Sequence, residues 1–343
     1  MDRPIFEVSS LKHSYFRKTI LEIDRLSIQK SSIVGLVGPN GSGKSSFLRL
    51  LGLVEKPTEG KILFDGVPVE PFSTNARFLV SLLPQEPFLM KRSVYKNVSY
   101  GLKFRVKTKN IPERVEKALS TVGLSYNTFA QRPWYALSGG EMQRVAFAAR
   151  LALNPSVLLL DEPTANVDAH SAQLIKEASI RVRNQSGTTL IIASHDLHWL
   201  YEICDEILHL FKGKIFDSGR ESFIYGPWKN IESKKWGKRL SDGQILYVTQ
   251  PPSPGATAVV NFVPIDKENA CRGDGEIALK GIVSRLSLEK KSGRIFATIL
   301  VGEMPLTVKL PQQNAENTLY PGNHVFLKYY LDQVKWIECN PNS

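Results

Sequence analysis

The sequence has few cysteines and no long apolar run. Its three cysteines, Cys204, Cys271 and Cys339, are widely separated and show no Cys-x-x-Cys spacing. This pattern argues against a disulfide framework or a zinc site and favours reduced thiols. No apolar stretch approaches the roughly 20 residues that a membrane-spanning helix needs, and the start of the chain leads into no apolar signal core. We therefore expect a cytoplasmic protein that does not itself cross a membrane.

The chain also lacks internal repeats, low-complexity segments and sustained heptads. Its 343 residues are enough for two domains, and a hydrophobic fraction of 42% is enough for sizeable cores, so a disordered chain is not expected. The formal net charge is +11. A basic balance of this size fits nucleic acid, an anionic membrane surface or an anionic ligand, and it equally fits a solvated surface that favours lysine.

The first part of the chain alternates short apolar runs with helical segments, which predicts a predominantly parallel α/β sheet. We interpret 33–37, 157–160 and 190–193 as buried strands, each followed by a polar cluster. Ligands bind where parallel strands end. Residues 93–124 carry helical patterns and predict a separate helical lobe.

After about Gly219 the pattern changes. We expect 221–275 to be a connecting segment, with a loop at 250–255 that is rich in proline. Residues 276–343 predict a small all-β domain, because several short strand-like runs follow one another closely. These runs are 277–286, 295–301, 306–310, 325–331 and 334–337.

Residues 38–45, GPNGSGKS, fit the phosphate-loop pattern GxxxxGK[ST] between a predicted strand and a predicted helix. Glycines allow the backbone to fold tightly around phosphates, and the following helix adds its positive N-terminal end. In such loops the lysine, here Lys44, meets the β- and γ-phosphates, and the hydroxyl of Ser45 binds Mg²⁺. Upstream, Tyr15 is either a core aromatic or a ring that stacks on adenine, and the phosphate loop favours stacking.

Two carboxylates, Asp161 and Glu162, end the apolar strand at 157–160. We expect Asp161 to hold Mg²⁺, directly or through water, and Glu162 to polarise the attacking water as a general base. Gln85 is a candidate ligand of Mg²⁺ or water, and His195 is a candidate hydrogen-bond donor to the γ-phosphate. Taken alone, a glutamine is more often a surface residue and a histidine more often structural.

Residues 137–144, LSGGEMQR, resemble the LSGGQ signature of ATP-binding-cassette (ABC) proteins. The order of the other motifs is similar as well: Tyr15, the phosphate loop, Gln85, the signature, Asp161-Glu162, Asp168 and His195. This resemblance spans roughly residues 5–220. Ser46 stands where the family usually has threonine, and this exchange removes no group that the reaction needs.

The resemblance implies a P-loop NTPase cassette at residues 1–220, with a RecA-like core and a helical subdomain at about 86–136. It implies ATP and Mg²⁺ as ligands and a homodimer in which each signature contacts the nucleotide of the other subunit. In that arrangement Asp168 belongs to the loop that couples the two sites. The implied catalytic residues are Glu162, His195 and Gln85, and the implied metal ligands are Ser45, Gln85 and Asp161. The implied nucleotide-binding residues are Tyr15, Gly38, Pro39, Asn40, Gly41, Ser42, Gly43, Lys44, Ser45, Ser46, Ser138, Gly139, Gly140 and Asp168.

Family members of the importer type work with separate permease subunits and, indirectly, with a solute-binding protein, at the cytoplasmic face of the cell membrane. In that family Pro87, Phe88 and Leu89 would line the groove that receives a permease helix. The predicted β-domain resembles the small oligonucleotide-binding-like (TOBE) domains of such ATPases, including those that bind molybdate or tungstate.

The resemblance suggests tungstate or molybdate as the transported solute. Basic residues on or near the predicted strands, Lys280, Arg285 and Lys309, are the candidate oxyanion contacts of the β-domain. Sulfate, phosphate, iron, a sugar or a polyamine stay open as substrates. A cassette ATPase that acts on nucleic acid or ribosomes is the alternative from another class. It is disfavoured because such proteins commonly carry two cassettes or a long coiled-coil insert.

Overall fold

The computed structural model describes residues 3–73, 76, 78–104, 110–216, 222–232, 235–253, 256–265, 275–289, 294–310 and 319–337. Backbone contacts divide the chain into two units, Met1–Phe216 and Asp217–Ser343. Cys204 is buried, whereas Cys271 and Cys339 lie outside the described residues. No helix of the described residues is long and apolar enough to cross a bilayer.

The first unit contains two sheets. Its described strands are β1 (Phe6–Tyr15), β2 (Lys18–Ile28), β3 (Ile33–Val37), β4 (Glu59–Phe64), β5 (Val67–Pro68), β6 (Val80–Leu83), β7 (Val157–Asp161), β8 (Thr189–Ala193), β9 (Glu206–Phe211) and β10 (Lys214–Phe216). One sheet is antiparallel, in the order β2-β1-β4-β5. The other has the order β10-β9-β3-β8-β7-β6. It is parallel from β9 to β6, and only β10 runs against its neighbour. The predicted parallel sheet is therefore confirmed.

Among the described residues, the main helices of the first unit follow the strands or form the predicted helical lobe. They are α1 (Lys44–Leu51), α2 (Val94–Tyr100), α3 (Ile111–Thr121), α4 (Tyr126–Phe129), α5 (Gly139–Leu151), α6 (Ala169–Ser186) and α7 (Leu197–Ile203), with 3₁₀ turns at Gly101–Phe104 and Trp134–Ala136. Helices α2, α3 and α4 lie within the predicted subdomain at 86–136. The lobe packs on the sheet through α5, whose residues share one core with α2 and α3.

The parallel strands are apolar throughout because both of their faces are buried. In β7, Leu158 and Leu160 pack into the core that the helical lobe shares. Val157 and Leu159 face the opposite core, which α1 and the antiparallel sheet fill. Each such side chain is worth about 1.5–3 kcal/mol on full burial. The strand is thus fixed from both sides, and its carboxyl end at Asp161 is held in place.

The second unit is built from strands and one 3₁₀ turn (Leu331–Gln333) in its described residues. Its strands are β11 (Ser222–Tyr225), β12 (Lys229–Glu232), β13 (Lys235–Arg239), β14 (Ile245–Val248), β15 (Thr257–Val260), β16 (Val263–Ile265), β17 (Glu276–Glu289), β18 (Arg294–Val301), β19 (Met304–Lys309), β20 (His324–Tyr330) and β21 (Lys335–Ile337). All pair antiparallel, in sheets ordered β16-β20-β17-β18-β19, β11-β15-β21 and β12-β13-β14.

Our interpretation of 221–275 as a connecting segment was wrong for its described residues. They form β11 to β16, and Trp228, Leu246 and Phe262 are buried in the same core as Leu279 and Tyr329. The C-terminal strand β21 pairs with β15 and not with its sequence neighbour β20. The strands after residue 276 therefore need the earlier segment to complete their core. Sequence reasoning missed these strands because they are short and interrupted by glycine, proline and lysine.

Candidate active site

The phosphate loop connects the end of β3 to the start of α1. Gly43 precedes the helix with φ 105°, and a Cβ there would lie 2.7 Å from a methyl of Leu21. At Gly38 a Cβ would lie 2.0 Å from the carbonyl oxygen of Leu210. Both positions therefore require glycine, one for its backbone conformation and the other for a close approach to β9. The sequence pattern GxxxxGK[ST] reflects these two constraints.

A cavity of about 770 Å³ opens above the loop, at the carboxyl ends of the parallel strands. It brings together residues that are up to 180 positions apart in the sequence, as the motifs predict. Its lining residues are Tyr15, Ile20, Asn40, Gly41, Ser42, Gly43, Lys44, Ser45, Ser46, Gln85, Asp161, Glu162 and His195. Gly38 and Pro39 are not among them, but their carbonyl oxygens accept hydrogen bonds from Nζ of Lys44 at 2.7 and 3.3 Å.

Glu162 is the buried centre of the charged groups in the cavity. Its Oε1 lies 4.0 Å from Nζ of Lys44. Its Oε2 lies 2.8 Å from Nδ1 of His195 and accepts a 3.3 Å hydrogen bond from the backbone N–H of the same histidine. Glu162 has φ 46°, which is uncommon for a residue with a side chain, and such strain concentrates at functional sites. The candidate base is therefore held by two groups that could later bind phosphate oxygens.

Burial sets the charge state of two other groups in the cavity. It lowers the pKa of Lys44 below its usual value, against the opposing pull of Glu162 and Asp161. It raises the pKa of the Asp161 carboxyl, a shift that a hydrogen bond from Ser45 opposes and the charge of Glu162 reinforces. Asp161 is 7% exposed, and its Oδ1 has no hydrogen-bond partner among the described residues. A buried carboxylate oxygen without a partner costs stability, so it is suited to a cation.

Tyr15 lies at the edge of the cavity, and its hydroxyl is engaged by residues that the motifs did not indicate. It donates a hydrogen bond to Oε2 of Glu55 and accepts one from Nη2 of Arg49 at 3.1 Å. His13 packs edge-on against the Tyr15 ring, with 4.7 Å between the ring centroids. The spacing of His13 and Tyr15 in a strand gave a signal for that contact, but no sequence spacing indicates Glu55.

The signature residues lie outside this cavity. Ser138 caps α5 in a capping box: its Oγ accepts from the N–H of Glu141 at 3.2 Å, and the Glu141 carboxylate accepts from the N–H of Ser138 at 2.9 Å. Asp168 caps α6 and accepts from the N–H and Oγ of Ser171 at 2.8 Å each. A Cβ on Gly140 would lie 2.3 Å from that Oγ. One chain thus does not bring the signature and the phosphate loop together.

Comparisons with known proteins agree with this geometry. The profile of the family described as ABC transporter matches residues 21–165. The tungstate uptake ATP-binding protein TupC of Peptoclostridium acidaminophilum is 33% identical over 209 residues, which are 61% of this chain and 95% of TupC. The phosphate import ATP-binding protein PstB 2 of Natronomonas pharaonis is 32% identical over 254 residues, which are 70% of this chain and 87% of that protein.

Solved structures give the same result. The structure of cbiO1 from Clostridium perfringens, part of the ABC transporter complex cbiONQ, has a TM-score of 0.57 and 30% identity, and the match covers 63% of this chain and 88% of cbiO1. The cassette MJ0796, solved as a dimer bound to ADP and Pi after hydrolysis, has a TM-score of 0.57 and 26% identity. That match covers 61% of this chain and 96% of MJ0796.

A phosphate loop between a parallel strand and a helix, facing two carboxylates at the end of β7, defines a P-loop nucleoside triphosphatase. The signature and the relatives narrow this class. The chain belongs to the ABC transporter ATP-binding family; it binds ATP and is an ATPase.

Proposed function

We propose that the chain is the ATP-hydrolysing subunit of a solute importer and works as a homodimer with separate permease subunits at the cytoplasmic face of the membrane. The observation that carries the hydrolytic part is the cavity that gathers Lys44, Ser45, Asp161, Glu162 and His195. The names of relatives such as TupC and PstB 2, which serve tungstate uptake and phosphate import, support the import part.

The residues of the cavity have complementary tasks in hydrolysis. The phosphate loop and Lys44 bind the β- and γ-phosphates, and the ring of Tyr15, which lines the same cavity, stacks on the adenine base. Glu162 accepts a hydrogen bond from the attacking water and polarises it. His195 and Lys44 both contact Glu162, and each can also donate to an oxygen of the γ-phosphate. The groups that bind the γ-phosphate therefore lie beside the carboxylate that polarises the water.

The residues at the end of β7 and the start of α1 fit Mg²⁺. Asp161 offers a buried oxygen without a partner among the described residues, and Ser45 and Gln85 line the same cavity with neutral oxygen ligands. Hard oxygen donors of this kind suit Mg²⁺. When bound, the ion would neutralise charge on the β- and γ-phosphates. It would also neutralise the Asp161 carboxylate, whose burial is otherwise unfavourable.

A second copy of the chain completes the site. Ser138 and Gly139 are exposed at the N-terminus of the 13-residue helix α5, and Gly140 lets that turn pack closely against Asp168 and Ser171. A helix N-terminus with exposed backbone binds phosphate oxygens well, and the Ser138 hydroxyl, which accepts a hydrogen bond in the capping box, can donate its proton to them. We propose that this surface faces the nucleotide at Lys44 of the partner and that Asp168, through the α5–α6 contact, couples the two sites.

For the transported solute we propose an oxyanion, with tungstate or molybdate first, on the strength of the likeness to TupC. The candidate oxyanion contacts Lys280 and Lys309 do not add to this support within one chain. Lys309 of β19 lies opposite Phe296 of β18, and Phe296 lies opposite Ser287 of β17. Ser287 is seven residues from Lys280 along β17. At 3.3 Å per residue this is about 23 Å. Within one chain, Lys280 and Lys309 therefore do not converge on one small anion, so an oxyanion site in this domain requires donors from a second copy of the chain at a dimer interface.

A reconstitution experiment tests the proposed function. The chain would be purified with the permease and solute-binding proteins encoded beside it and placed in liposomes, and ATP hydrolysis and solute uptake would be measured together. We expect tungstate or molybdate, loaded on the solute-binding protein, to stimulate hydrolysis more than sulfate, phosphate, iron or a polyamine. Stimulation by one of the other solutes would overturn the oxyanion assignment. ATP hydrolysis that no permease partner alters would overturn the importer role.

A further inference from the structure

The hydroxyl of Tyr15 is fixed by two neighbours that lie outside the known motifs. It donates to the Glu55 carboxylate and accepts from Arg49 Nη2 at 3.1 Å. Rotation of a tyrosine ring about its long axis is otherwise soft, because the torsion next to an aromatic ring has broad minima. Two partners on the hydroxyl, together with the edge of His13 against the ring, hold the orientation of the face that Tyr15 presents at the cavity.

Arg49 connects this tyrosine to the phosphate side of the cavity. The residue lies on α1, one turn after the phosphate loop, and its Nη2 also donates to Oγ of Ser46 at 3.2 Å. Ser46 is 7% exposed and lines the cavity. Arg49 thus joins the aromatic side of the cavity to the helix whose N-terminus receives phosphate. An ion pair that served stability alone would not need contacts to two cavity-lining side chains.

Glu55 has enough partners to be held in one place. Its Oε1 lies 2.7 Å from Nε of Arg49, and its Oε2 lies 3.1 Å from Nε2 of His13 as well as accepting from Tyr15. A partly buried carboxylate is tolerated only when it is paired in this way. Burial disfavours the charged form of Arg49, but Tyr15 and Glu55 outweigh this effect and raise its pKa above the usual value.

We propose that Glu55 and Arg49 are positioning residues for the nucleotide base. They hold the ring of Tyr15 in the orientation that stacks on adenine, and so they set the affinity for ATP without touching it. The inference rests on the proposed function, in which the base packs on Tyr15. The preorganised ring loses little conformational freedom when the base binds. The hydrogen bonds to the Tyr15 hydroxyl therefore increase the affinity for ATP by reducing the entropy lost on binding.

Binding measurements with and without a base test the assignment. Calorimetry would give dissociation constants for Mg-ATP and for Mg-tripolyphosphate, which carries the phosphates alone, on the full chain. We expect Tyr15→Ala to weaken ATP binding by roughly 5- to 150-fold, the range that one stacked base provides. We expect Glu55→Ala and Tyr15→Phe each to weaken it by roughly 3- to 10-fold, a part of that range. Tripolyphosphate affinity should change less than about twofold for all three.

Further variants separate positioning from general loss of structure. Glu55→Gln keeps an acceptor for the Tyr15 hydroxyl and should recover most of the affinity that Glu55→Ala loses. Glu59→Ala removes an exposed carboxylate four residues away and should bind both ligands like wild type. Adding Glu55→Ala to Tyr15→Ala should cause no further loss, because the two changes remove one shared effect. In steady state, KM should rise more than kcat falls.

The outcomes discriminate between this inference and the proposed function. If Tyr15→Ala weakens ATP binding and Glu55→Ala does not, the positioning role is wrong and the stacking role stands. If Glu55→Ala weakens ATP and tripolyphosphate equally and lowers the melting temperature, Glu55 is a structural ion-pair partner only, and the inference is again overturned. If Tyr15→Ala binds ATP like wild type, the stacking part of the proposed function fails together with this inference.

Discussion

Nδ1 of His195 lies 2.8 Å from Oε2 of Glu162. This contact places the candidate general base beside a candidate phosphate ligand, and Nζ of Lys44 lies 4.0 Å from the other oxygen of the same carboxylate. We expect Glu162→Gln to retain ATP binding and to lower turnover by at least about 100-fold, because the amide cannot polarise water as the carboxylate does. The variant should accumulate as an ATP-bound dimer in light scattering. The control is Glu59→Gln, which changes an exposed carboxylate in the same unit and should keep the wild-type turnover. Near-normal steady-state hydrolysis by Glu162→Gln would remove the proposed role.

The raised pKa of Asp161 makes a prediction about stability. In the folded chain this carboxyl binds a proton more readily than it does unfolded. The folding free energy therefore becomes less favourable as the pH rises through the range between the unfolded and the folded pKa. Asp161→Asn removes this cost. Without nucleotide and with a chelator present, the variant should melt above wild type at pH 8, and the difference should shrink as the pH is lowered towards 4.

The same variant should lose Mg²⁺-dependent hydrolysis, by about 100-fold or more if the ion supplies several kcal/mol of charge stabilisation. A stabilised and inactive protein is the expected combination, since functional sites commonly trade stability for activity. A lower melting temperature for Asp161→Asn at pH 8 would contradict the assignment of this carboxylate as a buried, uncompensated charge.

Two adjacent glycines of the signature are predicted to differ. A Cβ at Gly140 would lie 2.3 Å from Oγ of Ser171, whereas a Cβ at Gly139 has 3.9 Å to its nearest neighbour. Gly140→Ala should therefore destabilise the chain by about 1–3 kcal/mol through overpacking. Gly139→Ala should stay within about 0.5 kcal/mol of wild type. Urea unfolding of the two variants measures both values, and equal stabilities would contradict the packing described for α5 and α6.

The activity of Gly139→Ala then becomes informative. Because its fold should be intact, a loss of hydrolysis in this variant would show that the exposed face of the signature contacts the nucleotide of the partner. Full activity in Gly139→Ala, together with a normal dimer, would argue that this face does not approach the partner's ATP. Ser138→Ala is a poorer probe, because this substitution also removes the capping box of α5. Loss of an N-cap costs about 1 kcal/mol of stability by itself.

Much of the first unit followed from the sequence because its signals are local. The runs at 33–37 and 190–193 are apolar enough to be buried on both faces, and Gly43 supplies the positive φ that the turn before α1 requires. The chemistry of Asp161 and Glu162 was predictable since a strand end faces the ligand side of a parallel sheet.

The remainder depends on contacts that sequence spacing does not encode. Glu55 meets Tyr15 only because β1 and the turn after α1 come together in the folded unit. β15 was missed because its partner β21 comes from residues more than 70 positions later in the chain. Long-range pairing of this kind has no periodic signature within a short window.

Phe88 provides the test of permease docking. Its side chain is 84% exposed, whereas Leu89 beside it is buried in the core of the helical lobe. The structure therefore separates the two candidates: Phe88 is available to a partner, and Leu89 is a packing residue.

Phe88→Glu should reduce uptake in the reconstituted importer by about tenfold or more, the scale of one interface anchor, and leave the ATPase of the isolated chain unchanged. Phe72→Glu, a 69% exposed phenylalanine, is the control. A fall of many degrees in the melting temperature of Phe88→Glu would show that Phe88 belongs to the core.

Mixed dimers test whether two chains share each site. A Lys44→Ala subunit lacks the phosphate-loop lysine, and a Ser138→Arg subunit carries a blocked signature, so each homodimer has a lesion in both of its sites. In a mixed dimer both lesions fall in one composite site, and the other site combines an intact loop with an intact signature.

Statistical mixing at equal concentrations makes about half of the dimers mixed. We expect hydrolysis to reappear on mixing, at up to about a quarter of the wild-type rate if each intact site turns over independently, against a background reduced about 100-fold or more. The matched control mixes a Lys44→Ala subunit with a Glu162→Gln subunit. Both substitutions lie on the phosphate-loop side, so each of the two composite sites carries one lesion and the mixture should stay inactive. Restoration in the control, or none in the test pair although the Glu162→Gln chain forms ATP-dependent dimers, would rule out a site shared between the phosphate loop of one subunit and the signature of the other.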